Sequence, residues 1–188
     1  MDACLISKAR LFPLKQPPKL KYLVLLMSFL SSMFSRGQST QIKVGIPKDY
    51  YALVKSTIDG KPAITVVNTA LREFKAKDVF AWTLTLTMEL QSADESGMPT
   101  SDESKLVIDY LERLSEQIKG DANHPNALFL ARETWDVTCL MIWQFYDPKT
   151  VDKILKEIID DKSHPRPFEY IMEYDPKWEK VAWTKQFK

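Results

Sequence analysis

The residues of this chain that could perform acid–base or metal chemistry are few and scattered. The 188 residues include two histidines, His124 and His164, and each stands before a proline in a stretch with loop composition. Their spacing is not that of a metal-ligand motif. The adjacent carboxylates Asp94-Glu95 and Asp160-Asp161 fall in or beside predicted loops, where solvation would not separate their pKa values as catalysis requires. The sequence therefore predicts no catalytic residue, no metal site and no cofactor.

Charge and cysteine content narrow the function classes further. Lys and Arg total 26 against 25 Asp and Glu, a net charge of +1, so no basic excess indicates nucleic-acid binding. One of the two cysteines, Cys139, lies inside the apolar run VTCLMIW. No base stands near it in the sequence, so we predict a buried core thiol rather than a nucleophile.

The N-terminal region has the pattern of a secretory signal peptide. Two lysines precede an apolar run over residues 22–34, which is shorter than the roughly 20 residues of a membrane-spanning helix. Ser35 and Gly37 put small residues at positions −3 and −1, so we place cleavage between Gly37 and Gln38. A buried core helix and an uncut membrane anchor are the alternatives. The prediction is an exported protein, periplasmic or extracellular, with signal peptide 1–37 and no stable membrane span after cleavage.

Export would change the charge of the mature chain. Residues 1–37 contain six of the basic residues and one of the acidic residues, so 26 − 6 = 20 basic and 25 − 1 = 24 acidic residues remain. The resulting net charge of −4 disfavours binding to nucleic acid or to anionic lipid.

Hydrophobic periodicity predicts the elements that would position any site. Apolar residues alternate with Ala, Thr and Glu over 80–90, the pattern of a strand with one buried face. A helix over 101–119 begins with the capping-box pair Thr100 and Glu103 and ends before Gly120. The remaining predicted elements are a hairpin over 49–71 that turns at Asp59-Gly60, strands 127–135 and 137–146, a helix opened by Asp147-Pro148, and strand 167–174.

From residue 79 the predicted order is strand, helix, strand, strand, helix, strand. This order predicts an α+β fold with a ferredoxin-like split βαβ core (βαββαβ), preceded by a β-hairpin, with both helices on one sheet face. After a flexible lead-in over 38–48, residues 49–188 would form a single α+β domain. The opposite face would expose Thr83, Thr85, Thr87, Leu140, Ile142 and Ile171. That face could support a homodimer or be covered by the hairpin.

Aromatic residues at turns and in the C-terminal tail are the candidates for binding. Trp135 and Trp178 lie where packing explains a large ring poorly, and Asp136 and Asp175 stand beside them. Aromatic rings commonly anchor interfaces and ligands, so these four residues form the predicted binding set. In the alternative, the tail folds back and Trp178 fills the edge of the core.

Several short motifs, in this order and spacing, resemble the domain-of-unknown-function 695 family, small α+β domains of bacteria. They are Asp59-Gly60-Lys61-Pro62, Gly97-Met98-Pro99 with Glu103, Arg132-Glu133-Thr134 leading to Phe145-Tyr146, and Tyr174-Asp175-Pro176-Lys177-Trp178. The resemblance covers about residues 49–183. The chain departs from the pattern at Trp135-Asp136, where a glycine turn is expected, and in lacking a proline after Trp183. The resemblance implies a fold and a bacterial origin rather than an activity.

Together these features predict a non-catalytic binding or protein-interaction module whose partner is an unknown protein or a small-molecule ligand. One alternative is a carboxylate-dependent hydrolase built from loops 91–103 and 175–179, with Glu103, Asp175 and a histidine in one pocket. Another is an inhibitor or immunity-type protein that binds its partner through an exposed strand edge or helix face.

Overall fold

A computed structural model describes residues 44–121 and 123–186. The predicted signal peptide 1–37, its cleavage site and the first part of the lead-in lie outside the described residues. The elements are strands β1 (Tyr51–Ile58), β2 (Lys61–Asn68), β3 (Trp82–Glu89), β4 (Ala127–Trp135), β5 (Thr138–Phe145) and β6 (Phe168–Tyr174), and helices α1 (Ser101–Lys119) and α2 (Pro148–Asp160). None of the helices in the described part of the chain is long and apolar enough to cross a bilayer.

The six strands form one antiparallel sheet in the order β1-β2-β4-β5-β3-β6. The predicted α+β class is confirmed. The leading hairpin extends the sheet by pairing β2 with β4, so β1 becomes one edge strand and β6 the other. Strand β5 is apolar on both faces and lies inside the sheet, as its sequence pattern predicted.

One face of the sheet carries the main core and both helices. Leu84 and Leu86 of β3 pair with Trp143 and Met141 of β5, and all four pack with the apolar stripes of α1 and α2. The Oγ1 of Thr100 accepts a hydrogen bond from the backbone N–H of Glu103, which is one half of the predicted capping box. The other half does not form, because the N–H of Thr100 donates to the carbonyl oxygen of Ser92 and the Glu103 carboxylate accepts from Gln91. Alternation in the strands and helical spacing in α1 and α2 thus bring their apolar residues to one layer.

The opposite face is covered by segments that are neither strand nor α-helix. A connector over 69–81, between β2 and β3, and a tail over 175–186, after β6, bury a second apolar cluster. Ile142 is 4% exposed beneath them and Thr83 is 2% exposed, so the expectation that these two residues lie on a free face is wrong, whereas Ile171 is 61% exposed. Val44 and Ile46, from the predicted lead-in, also pack against this cluster.

Candidate binding site

Trp178 fastens the tail to the connector. Its indole Nε1–H donates to the carbonyl oxygens of Phe80 at 2.9 Å and Lys77 at 3.2 Å, and its ring stacks on Phe74 with 5.7 Å between centroids. The side chain is 2% exposed. Trp178 is therefore packed inside the protein, as in the alternative in which the tail folds back onto the core.

Asp175 shapes the chain on either side of Trp178. Its backbone N–H donates to the carbonyl oxygen of Ala81, and its carboxylate accepts the N–H groups of Glu179 and Lys180, both at 2.9 Å. This turn holds Trp178 at φ +57°, a left-handed conformation that residues other than glycine seldom adopt. The burial and hydrogen bonds of the indole compensate for the local strain.

Between connector and tail lies a small pocket, called here the Arg72 pocket. It is lined by Val67, Asn68, Thr69, Leu71, Arg72, Lys77, Leu130, Trp178, Val181, Thr184 and Lys185. Three of these residues are cations and none is acidic. The enclosed part measures about 10 Å³, which is roughly the room that one water molecule needs. In this conformation the pocket therefore has room for one water-sized group and offers it positive charge.

The guanidinium of Arg72 is the most unusual group in the pocket. Its Nε and Nη2 atoms are buried and have no hydrogen-bond partner among the described residues. These two atoms form one edge of the guanidinium plane, with two nearly parallel N–H donors. Because buried donors are nearly always satisfied, an unmatched pair of this kind indicates a position for an acceptor, either an ordered water molecule or a ligand oxygen.

The same edge is occupied in another arginine of this protein. Nε and Nη2 of Arg166 donate to the two carboxylate oxygens of Glu103 at 2.8 and 2.6 Å. The Glu103 side chain is 2% exposed and that of Arg166 is 19% exposed. The hydrogen bonds from Arg166, followed by the one from the backbone N–H of Gln91, lower the pKa of Glu103 despite its burial. This pair shows which partner geometry the edge accepts.

Lys77 and Lys185 add charge around Arg72. Burial, and then the nearby charge of Lys185, lower the pKa of Lys77, and its Nζ lies 5.4 Å from the centroid of the Trp178 ring. Neither lysine forms an ion pair with another described residue, whereas Lys180 of the same tail pairs with Glu173. An anion entering here would relieve the repulsion between the lysines, so the pocket is suited to an oxyanion.

The structure places Trp135 and Asp136 at the turn between β4 and β5. The indole of Trp135 donates to the carbonyl oxygen of Ile58 at 3.0 Å, and Asp136 pairs with Lys61. These contacts tie the β4–β5 turn to the β1–β2 turn. The missing glycine is accommodated because Asp136 itself adopts a positive φ of +42°.

The predicted binding set is not brought together as one site. Trp135 pairs with Thr138, and Thr138 pairs with Glu89 at the end of β3. Asp175 instead contacts Ala81, just before β3 begins. The eight residues of β3 therefore separate the two halves by roughly 25 Å. Only Trp178 of the set lines the Arg72 pocket, and a binding role for the other three stays a prediction.

The residues of the hydrolase alternative are also apart. Glu103 accepts the N–H of Gln91 beyond the end of β3, at the opposite end of that strand from Asp175. His124 lies 3.5 Å from Asp121 in an exposed loop, and the Nδ1 of His164 lies 2.9 Å from the carbonyl oxygen of Arg166. Within the described ranges, no group of three His, Cys, Asp or Glu side chains could hold a metal ion.

Cys139 is buried in the helix-side core, as predicted. The thiol is 1% exposed, and burial raises its pKa. A thiol in this environment is a poor nucleophile, because its thiolate form is disfavoured.

Sequence reasoning missed the three cations of the pocket. Arg72 and Lys77 belong to the charged connector REFKAKD and Lys185 belongs to the C-terminal tail, and neither segment contains a motif that indicates a site. A signal was present in Phe74, an aromatic residue inside this charged run, because a buried ring there implies that the connector packs against the sheet.

A single antiparallel sheet, with two helices on one face and a cationic pocket between connector and tail on the other, defines the class as a small α+β domain. The model of the family of unknown function DUF695 matches residues 50–181, more than half of the chain. The chain belongs to this family, which confirms the resemblance inferred from its motifs. No curated protein and no solved structure matches the chain.

Proposed function

We propose that the protein is a non-catalytic binding module that holds a small oxyanion in the Arg72 pocket. The observation that carries this proposal is the buried Nε–Nη2 edge of Arg72, which finds no acceptor among the described residues. An unpaired guanidinium edge is costly in isolation and becomes favourable when an anion accepts its hydrogens.

The composition of the pocket supports binding of an anion over binding of an apolar ligand. Lys77 and Lys185 stand beside Arg72, and the lining contains no acidic side chain. This concentration of positive charge occurs in a chain whose predicted mature form carries a net charge of −4. Local charge of this sign favours capture of an anion even on an acidic protein.

The test is a titration of the purified protein followed by NMR of its arginine Nε–Hε groups. We expect sodium acetate or sodium phosphate to shift the Arg72 resonance, while sodium chloride at equal ionic strength does not. Arg166 is the internal reference, because its edge is already occupied by Glu103. An Arg72 resonance that no oxyanion moves beyond the chloride control would refute the proposal.

A matched pair of variants separates the pocket from general electrostatics. Arg72→Gln and Arg113→Gln each remove one positive charge, but Arg113 is an exposed residue of α1. We expect Arg72→Gln to abolish the response of the remaining pocket residues to acetate and Arg113→Gln to leave it unchanged. Equal losses in the two variants would show that only net charge matters.

For the architecture, we propose that β3, α1, β4, β5, α2 and β6 form a ferredoxin-like βαββαβ core to which the β1–β2 hairpin is added. The strand order β6-β3-β5-β4 within the sheet supports this assignment. An experimental structure with a different order of these four strands would refute it.

We further propose that the protein is exported and acts in the bacterial envelope or outside the cell. The support is the basic segment, the short apolar run, and the small residues Ser35 and Gly37 that precede Gln38. Mass spectrometry of the protein isolated from its cells should give a mature N-terminus at Gln38. A mature protein that retains residues 1–37 would exclude cleavage by a signal peptidase.

A further inference from the structure

We infer that the protein forms a weak homodimer in which the β1 strands of two copies pair antiparallel about a two-fold axis at Ala52. The pairing joins two six-stranded sheets into one continuous sheet. This inference concerns an edge of the sheet and does not depend on the Arg72 pocket.

Strand β1 is an edge strand with an open outer side. Within the described part of the chain it pairs with β2 alone, over 8 consecutive residues and without a bulge. It contains no proline and a single charged residue, Lys55. Natural proteins usually protect a long, regular edge strand with bulges, prolines or several charges. Because β1 has little of this protection, its edge is suited to accept another strand.

The hydrogen bonds to β2 show which residues of β1 direct their backbone groups outward. The N–H of Thr69 donates to the carbonyl oxygen of Tyr50 at 2.8 Å, so the backbone of Tyr50 points towards β2. This direction alternates along an antiparallel strand. Ala52 therefore shares the orientation of Tyr50. Tyr51 and Leu53 direct their N–H and C=O groups away from β2, where a second strand would use them.

Large apolar side chains are exposed along the same edge. Tyr50 is 72% exposed, Tyr51 is 49% exposed and Leu53 is 63% exposed. The Tyr51 ring lies 5.9 Å from the ring of Phe129, which packs against the main core. Tyr51 and Leu53 therefore lie on the face of the sheet that carries the helices. Exposed apolar side chains clustered at one strand edge are typical of a contact surface.

The sequence around Ala52 is complementary to itself when two copies run antiparallel. A two-fold axis at Ala52 places Tyr51 opposite Leu53 of the second copy, and Lys55 opposite Asp49 of the second copy. Each of these contacts occurs twice. Asp49 and Lys55 are both exposed, and the Tyr51 hydroxyl donates to Asp49 at 2.9 Å, which holds the carboxylate beside the edge. Apolar pairs and opposite charges directly across two strands stabilise their pairing.

Neighbouring registers lose this complementarity. An axis at Leu53 places Lys55 opposite Tyr51 of the second copy, and an axis at Val54 places Lys55 opposite Leu53. An axis at Lys55 brings the two lysines together, and like charges directly opposite are destabilising. The charge pattern therefore favours the axis at Ala52 and a second copy of this chain as the occupant.

The other edge strand, β6, carries charges that oppose the same kind of pairing. Its longest antiparallel overlap with a second β6 has the axis at Ile171 and places Glu169 opposite Glu173 twice. Lys180 of the same chain donates to Glu173 at 2.6 Å, so this carboxylate already has a cation. Like charges across the strands disfavour a β6 dimer. The two edges of the sheet thus differ, and β1 is the edge that fits a second copy.

Disulfide trapping in the full chain carrying Cys4→Ser tests the register directly. Across this axis the two Ala52 Cα atoms lie about 4.5 Å apart, which a disulfide can span. We expect Ala52→Cys to give a covalent dimer under mild oxidation, because the remaining thiol, Cys139, is buried. Val54→Cys is the matched control, since its two copies lie roughly 13 Å apart in this register. A mixture of Tyr50→Cys and Val54→Cys should form a mixed dimer, because these positions face each other.

Sedimentation velocity measures the dimer without a crosslink. Because the interface is a single strand pair, we expect a dissociation constant of roughly 10–100 µM. Lys55→Glu places a carboxylate opposite Asp49 at both ends of the paired strands and should raise the dissociation constant at least about tenfold. Lys149→Glu makes the same change in charge at an exposed position of α2 and should leave the dissociation constant unchanged.

Several outcomes would overturn the inference. The wild-type protein would remain monomeric at about 300 µM, or Val54→Cys would crosslink to itself as readily as Ala52→Cys. Equal weakening by Lys55→Glu and Lys149→Glu would show that only net charge matters. A series of species larger than the dimer would indicate pairing of β1 with β6 of the next copy, which builds open chains and excludes the two-fold axis.

Discussion

Two arginines of this protein present the same guanidinium edge in opposite circumstances. Arg166 donates from Nε and Nη2 to the buried carboxylate of Glu103, which belongs to the first turn of α1 and lies 63 positions earlier in the chain. The same two atoms of Arg72 are buried between the connector and the tail without an acceptor among the described residues. The first edge holds two parts of the fold together, and the second is the edge for which we propose an anion.

The difference teaches that burial of a charged group does not by itself reveal its role. Glu103 and Arg166 satisfy each other, so removing either one leaves an uncompensated charge. Arg72 is in the opposite state, because its two buried donors have no partner among the described residues, so removing them should cost little. Substitution of Arg166 should therefore lower stability strongly and affect anion binding little. Substitution of Arg72 should affect stability little and remove anion binding.

The largest effect is expected from Arg166→Met, which would leave the carboxylate of Glu103 buried without its cation. We predict a loss of about 3–5 kcal/mol in the free energy of unfolding, measured by urea denaturation. Arg113→Met is the control, because Arg113 is exposed and its replacement should cost less than about 0.5 kcal/mol. Similar losses in the two variants would show that the buried pair is not a special contact.

Trp178→Phe tests the hydrogen bonds that hold the tail against the connector. The tail forms one wall of the Arg72 pocket. The variant keeps an aromatic ring but loses the two hydrogen bonds to Phe80 and Lys77. We predict a loss of about 2 kcal/mol in the free energy of unfolding together with weaker anion binding. Trp135→Phe loses one hydrogen bond at a distant turn and should leave anion binding unchanged.

Acid should weaken the contribution of the Glu103–Arg166 pair to stability. The pKa of Glu103 is lowered in the folded protein from its ordinary value of 4.5, so its ionised form contributes stability above that pH. This contribution is lost as pH falls through the lowered folded pKa. Urea denaturation between pH 7 and pH 3 should show a smaller acid-induced loss in Glu103→Gln than in the wild type. Parallel profiles would show that other carboxylates account for the acid sensitivity.

The smallest effect on stability is expected from Arg72→Met. This substitution removes two buried unmatched donors, so the free energy of unfolding should stay within about 1 kcal/mol of the wild type or rise. The response to acetate should nevertheless disappear in the arginine NMR titration. A loss comparable to that of Arg166→Met would mean that Arg72 has a structural partner and that the two sites are alike.

Local patterns in the sequence predicted most of the described elements. The alternation over 80–90 identified β3, and the Thr100–Glu103 spacing identified the start of α1. The signal in each case lies within a few residues, because strand period and capping act locally. The double-faced apolar run of β5 also indicated its interior place in the sheet.

The candidate site could not be predicted, because it is assembled over long separations in sequence. Trp178 reaches the carbonyl oxygen of Lys77 across 101 positions. The composition of a charged connector gives no sign that the guanidinium edge of its single arginine will be buried without a partner among the described residues. The sequence marks the position of Trp178 as unusual, but its neighbours Asp175 and Lys177 do not indicate the cations that line the pocket beside it.

A crystal structure of the protein in the presence of sodium acetate tests the central claim most directly. We predict one carboxylate with its two oxygens about 3 Å from Nε and Nη2 of Arg72, and an unchanged Glu103–Arg166 pair. Acetate bound elsewhere, or an Arg72 edge bonded only to a water molecule or to an acceptor within the protein, would contradict the contrast between an arginine paired within the fold and one that binds an anion.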